Sequence, residues 1–344
     1  NDASLLLPAT ALTGTVRLNT PPIWEELAGP LLAPFVSLVA TTDGTEVAVA
    51  TPSAPLPVAG ATTESLSGSG PNRFLTRATL NAGDVLQLSA NRTLGERFSG
   101  GLVTANHPIQ VLSGIPCSNV PVGVAAGYCD HLEEALPPAE SLGQSYVVSP
   151  STGPAGTANK DGDLLQFVGN RDGTVLTYDP VRPAGCPESL NAGEVRTCRG
   201  GPGFELRGTH EFSVATFLLG STANDAPSDL GDPSQTAPVP VEQFRKSYTF
   251  LALRDFPVNY ADVVFPRGAT VYLDGAIVTN RDALSKPIGA LYDVRRLRLS
   301  AATEAHTLSA DRPIGVSLLG YGEATSYAYP AGLNLTAIAS APER

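Results

Sequence analysis

Asn159, Asp161 and Asp163 alternate in the run Asn-Lys-Asp-Gly-Asp, the order in which oxygen ligands open a calcium loop. These three are the candidate metal ligands, and calcium is the cofactor that the pattern suggests. The rest of an EF-hand is missing, because Leu164 and Leu165 run straight into an apolar stretch with no closing Glu. A plain polar turn accounts for the same residues. A second cluster joins Asp130, His131, Glu133 and Glu134. An imidazole among carboxylates can act as an oriented base or a metal ligand. A linker helix that opens with acidic residues near its N-terminus accounts for it without chemistry. His107 and His210 stand at matching places in turns, and His306 stands in a polar stretch, so all three read as polar turn residues. No Gly-x-Ser-x-Gly elbow and no His-Glu-x-x-His occurs. The glycines within 200–203 lack the Lys-Ser/Thr ending of a phosphate loop. No spacing brings a nucleophile, a base and an acid together, so the chain reads as a non-enzyme, with a secreted hydrolase the least favoured alternative.

Cys117 and Cys129 are twelve apart, and so are Cys186 and Cys198. Neither pair has metal-finger spacing. Two local disulfides fit the spacing and the composition, and the alternative is four buried thiols in a reducing compartment. The formal net charge of -11 argues against nucleic acid as a partner. The cationic run Arg295, Arg296 and Arg298 interleaves with apolar residues and reads as an exposed strand face. No segment reaches the roughly 18 continuous apolar residues of a membrane span. The chain contains no Met and opens inside a repeat, which reads as a processed piece of a longer precursor.

The elements that position these residues repeat. Residues 108–114, 211–220 and 313–320 are apolar strands that follow polar turns at 105–107, 208–210 and 310–312. Leu-Asn-Ala-Gly-Asp-Val at 80–85 returns as Leu-Asn-Ala-Gly-Glu-Val at 190–195. Asp43-Gly44 and Asp172-Gly173 each separate alternating apolar runs, a strong hairpin signal, and Pro266-Arg267-Gly268 holds that place in a third copy. An apolar run into proline recurs around Pro8, Pro137-Pro138 and Pro240, with a last version at 326–330. The copies run over 2–119, 129–221 and 232–320, and 321–344 is a closing strand segment. The fold class is all-β: tandem diverged repeats of short antiparallel strands, as sandwiches or propeller-like blades. The joints carry few flexible residues, so neighbouring copies should pack together. One short helix is expected from Thr20 through Leu27.

The run Cys-Asp-His-Leu-Glu-Glu-Ala-Leu-Pro-Pro at 129–138, Gly-Asp-Pro-Ser at 231–234 and Pro-Val-Glu-Gln-Phe at 240–244 resemble the linkers of the IgGFc-binding protein N-terminal domain family. The likeness covers most of the chain and is greatest to bacterial, myxobacterial-type secreted members. It implies an extracellular or cell-surface, β-rich binding or adhesion protein. Its partner would be an extracellular protein, a glycan or further copies of itself. A structural subunit of an oligomer or filament is the second reading, motivated by repeat elements at both chain ends whose strand edges invite pairing.

Overall fold

The computed structural model describes residues 2–21, 32–68, 70–93, 95–120, 129–159, 161–224, 230–281, 283, 285–300 and 303–342. The helix expected through Leu27 lies largely outside these residues. Strands dominate, with four short 3-10 turns and no α-helix among the described residues.

The first unit holds β1 (Thr15–Arg17), β2 (Phe35–Ala40), β3 (Thr45–Thr51), β4 (Ala61–Ser65), β5 (Phe74–Leu80), β6 (Val85–Ser89), β7 (Leu102–Ala105), β8 (Ile109–Ser118) and β9 (Asp130–Leu136). They form two antiparallel sheets, β1-β7-β3-β5-β4 and β6-β2-β8-β9. Alternate residues of both sheets, among them Val36, Leu38, Val47, Val49, Val103 and Val111, meet in one core. Two sheets sharing a core make a sandwich rather than a blade.

The second unit repeats the plan with β10 (Ser145–Val148), β11 (Leu164–Gly169), β12 (Thr174–Asp179), β13 (Ser189–Leu190), β14 (Val195–Arg199), β15 (Phe204–Gly208), β16 (Phe212–Phe217) and β17 (Gln235–Thr236). Its sheets are β10-β15-β12-β13 and β14-β11-β16-β17. Phe167, Phe204 and Phe212 fill the space between them with no exposed surface. Each contributes roughly 2–3 kcal/mol by burial.

The third unit holds β18 (Arg245–Leu251), β19 (Val258–Pro266), β20 (Val271–Leu273), β21 (Ala276–Ile277), β22 (Lys286–Ile288), β23 (Tyr292–Leu299), β24 (Ala305–Gly322) and β25 (Thr325–Pro330). β9, β17 and β25 lie past the expected copy ends at 119, 221 and 320, because each pairs with the last long strand of the copy before it. The third unit departs from the expected pattern in a further respect. The polar turn expected at 310–312 does not break the chain, and β24 runs unbroken through Asp311 and Arg312. Its first half pairs with β18 and β20, its second with β19 and β25. No residue there requires left-handed backbone, so the chain passes from one sheet to the other while staying extended.

The repeated motifs have a common hydrogen-bond cause. Gly44 and Gly173 sit at φ 69° and 66°, the left-handed region that hairpin turns of this kind need. The adjacent Asp43 carboxylate accepts the Ala82 amide at 3.0 Å, and Asp172 accepts the Ala192 amide at 3.0 Å. Each Asp-Gly hairpin thus grips the Asn-Ala-Gly turn of its own unit. Proline has a similar repeated role. Pro8, Pro138 and Pro240 each precede a 3-10 turn, and each accepts an amide at 2.9 Å from three residues on: Ala11, Ser141 and Gln243. Proline presets the entry into that turn.

Tyr146 and Tyr248 also occupy equivalent places. Tyr146 Oη donates to the Phe212 carbonyl at 2.6 Å, and Tyr248 Oη donates to the Ile314 carbonyl. Tyr146 ties β10 to a strand of the facing sheet, and Tyr248 ties β18 to the stretch of β24 just past its crossing between sheets. Tyr146→Phe leaves a buried carbonyl without its donor and should cost about 1–2 kcal/mol in a urea melt. An unchanged midpoint would show that the bond contributes nothing.

The units pack closely. β11 and β19 are buried on both faces, so each is covered by a neighbour as well as by its own core. Ile115 and Leu132 meet Ala215 and Phe217 between the first and second units. Val147 meets Phe244, Val264 and Val294 between the second and third. Polar side chains fix the register: Gln166 Nε2 donates to Asn19 Oδ1 at 2.6 Å, and Tyr321 Oη donates to the Thr152 carbonyl at 2.7 Å. Residues 2–4 are tied in as well. Asp2 and Ser4 accept the Glu133 and Ala135 amides at 3.2 and 2.6 Å, capping the free edge of β9.

Candidate binding site

The Asn159–Asp163 pair closes a turn. Asn159 Nδ2 donates to Asp163 Oδ1 at 3.0 Å, and the Ser151 amide donates to Asp163 Oδ2 at 2.8 Å. Burial pushes the Asp163 carboxyl above its ordinary range, against these hydrogen bonds and the charge of Arg199. Asp161 is exposed and takes part through its backbone, whose carbonyl accepts the Gly201 amide at 3.1 Å. The structure therefore brings Asn159 and Asp163 together and leaves the Asp161 side chain apart. Asn159 also lines a cleft of about 620 Å³ between the second and third units, opposite Lys286 and Arg296.

The disulfides form in the expected pairs, Cys117–Cys129 and Cys186–Cys198. His131 lies on a strand, not at a helix start. Leu132 and Leu136 face inward, and the segment pairs with β8. Glu134 is also buried there, which hides the strand alternation in the sequence. His131 contacts Glu133 at 3.6 Å and stacks on Phe35. His306 lies on β24 rather than in a turn: it is 4% exposed, and its Nδ1 lies 2.7 Å from Asp274 Oδ2. Asp274, at φ 51°, also accepts the Thr307 amide at 2.8 Å, so this pair pins the β20–β21 hairpin onto β24. The arginines of β23 lie on a strand; Arg298 is exposed as expected, while Arg295 and Arg296 are half-buried. Arg298 lies over the Tyr260 ring, Arg295 lies over Phe265, and Arg296 reaches Ser149 and Pro150 of the second unit.

A second concave surface lies on the outer face of the first unit's five-stranded sheet. Val16, Val47, Val49 and Val103 face the core, so the alternate residues face outward. Strand register sets those residues in rows. One row crosses the sheet as Arg17, Leu102, Ala50, Leu75 and Glu64, and the next as Thr15, Thr104, Ala48, Arg77 and Thr62. Ala48 and Ala50 keep the middle strand low, while Leu75, Arg77 and the segment around Leu66, Pro71 and Asn72 stand above it. The result is a trough made of two adjoining cavities of about 510 and 440 Å³, which share Ala48, Arg77 and Thr104.

Ala192 of the second unit closes one end of the trough. A Cβ on Gly193, at φ 73°, would stand 2.8 Å from the Gly100 carbonyl oxygen, so glycine permits this approach of the two units. Arg17 sits at the same end, 5% exposed. Its guanidinium donates to Asn170 Oδ1 at 3.2 Å and to the Gly100 and Asn170 carbonyls at 3.1 and 3.4 Å. These acceptors are neutral. Burial pulls its pKa down to about 10, opposed by the charge of Asp172. Arg77 is largely exposed and meets Glu64 only loosely, at 3.7 Å. Asn72 Oδ1 is buried with no hydrogen-bond partner among the described residues.

A family described as IgGFc binding protein matches residues 2–320, nearly the whole chain. The chain belongs to the IgGFc-binding family. It is 27% identical over 269 residues to a human protein named IgGFc-binding protein, an alignment that covers 76% of this chain and 5% of that relative. The chain thus spans a small part of the curated relative it matches. No solved structure matches. IgGFc-binding proteins are a family of binding proteins, and two disulfides fit an oxidising compartment. Among the described residues no helix is long and apolar enough to cross a membrane.

The trough was not legible in the sequence. Its floor comes from residues some ninety positions apart, and only the pairing of β1, β7, β3 and β5 brings them side by side. The one local signal is the small-residue alternation Ala48 and Ala50 within a strand otherwise rich in Val and Thr.

Proposed function

We propose that this chain is an extracellular binding protein that holds a protein partner on the trough across the first unit's sheet. The trough itself carries the reading: an aliphatic floor bounded by two arginines, on a rigid sheet braced by the neighbouring unit. Sites built on packed strands keep their shape, and concave, largely apolar surfaces with a few placed polar groups are where ligands dock. Family membership supports the general activity. The human relative is named for IgG Fc, which makes the Fc fragment the first protein to test. Occupation of the β9 edge by Asp2 and Ser4 favours this reading over assembly through that edge.

Surface plasmon resonance against human IgG Fc, mucin and fibronectin, with a glycan array in parallel, tests the proposal. Ala48→Trp fills the trough from its floor without touching the core. The reading predicts saturable binding to a protein, abolished by Ala48→Trp. Binding to glycans alone, or protein binding that ignores the substitution, would overturn it.

A further inference from the structure

We infer that the segment seated in the trough is an extended acidic peptide stretch, with a carboxylate between aliphatic side chains. This rests on the reading of the trough as the contact surface. The larger cavity is lined by Arg17 and Arg77, and no acidic side chain lines it. Glu64 and Asp172 stand near these cations without lining the cavity, so the lining itself is cationic on a chain of net charge -11. The rest of this lining is aliphatic or small, including Leu66, Leu75 and Leu102.

The two cations differ in what they offer. Arg77 is 59% exposed, and its 3.7 Å contact with Glu64 is a surface pair of little strength, so a partner carboxylate can displace it. Arg17 is buried and held by neutral oxygens, so its charge is fixed in place and poorly screened. A buried cation without a bonded counter-ion favours an anion nearby, and a cleft with low-dielectric walls focuses that field. The adjoining cavity carries Glu46, so the acidic group belongs at the Leu66 end of the trough.

Spacing limits the length of the segment. β1 and β5 are separated by β7 and β3, three strand intervals, or about 14 Å at ~4.8 Å per interval. An extended chain covers that span in roughly four or five residues. The segment crosses the strands rather than adding to the sheet, because the floor rows run across the strands.

A linear random-peptide phage library panned on the intact chain tests this, followed by fluorescence anisotropy with the selected peptides. Enriched peptides should carry Asp or Glu flanked by aliphatic residues. Ala48→Trp should abolish binding, Arg77→Glu should weaken it roughly tenfold or more, and Arg77→Gln should weaken it less. Binding should also fall as salt rises. Arg77 is exposed, so both variants should keep the wild-type melting temperature, which verifies the fold. Loss with Ala48→Trp but not with Arg77→Glu overturns the acidic occupant and leaves the trough as the contact surface. Binding indifferent to both overturns both. Enrichment of neutral or basic peptides, or of none, overturns the inference.

Discussion

Lowering the pH from about 8.5 to about 5 should raise the melting temperature, on the order of 5 °C. The cause lies at the joints between units. Asp232 is 2% exposed, and burial, reinforced by the charge of Asp130, pushes its carboxyl up to about 7. Asp262, 5% exposed, is pushed up to about 6 by burial, against the charge of Arg296 and the hydrogen bonds from Thr152. Burial also raises Glu134 well above the ordinary range, and the charge of Asp2 adds to it. Asp2 itself is raised to about 8 by burial, against four hydrogen bonds. Each group binds its proton more tightly folded than unfolded. The associated stability is therefore fully present below the ordinary carboxylate pKa of 3.8 and is lost as pH rises through the folded values, about 6 to 8. Asp232→Asn and Asp262→Asn together should shrink the dependence, leaving the share that Asp2 and Glu134 carry. A melting temperature that rises from pH 5 to 8.5 would contradict the account.

Replacing Cys186 and Cys198 with alanine should cost about 3 kcal/mol from loop entropy alone, and more because both sulfurs lie in the second unit's core. Cys117 and Cys129 close a loop of the same sequence separation, 12 residues, but both are only half-buried. Chain entropy predicts equal losses for the two pairs, and packing predicts a larger loss for Cys186 and Cys198. Guanidinium melts of the two double variants separate these contributions. Equal shifts would show that core packing of the sulfurs contributes little.

Much of the fold was legible where a residue can do only one thing. Gly44 and Gly173 announce hairpins because left-handed backbone suits glycine, and prolines announce the joints because they fix the entry to a 3-10 turn. The Asn-Ala-Gly match at 81–83 and 191–193 survives because its amides must reach Asp43 and Asp172. Where a residue permits several conformations, the sequence misled. Asp311 and Arg312 look like a turn yet lie in a continuous strand. His131 looked like a helix start because buried Glu134 disguises the alternation of β9. The Asp274–His306 contact joins residues 32 apart, and the trough joins strands from Thr15 to Ala105, so neither leaves a local pattern.

The central claim is that the first unit's outer sheet face holds the partner. Hydrogen–deuterium exchange of the chain, with and without the protein it captures most tightly, tests it most directly. The account predicts slower exchange in 45–51, 74–80 and 102–105 and in residues 66–68 and 70–73 beside them, with the third unit unchanged. Protection confined to the second or third unit, with these strands unaffected, would contradict it.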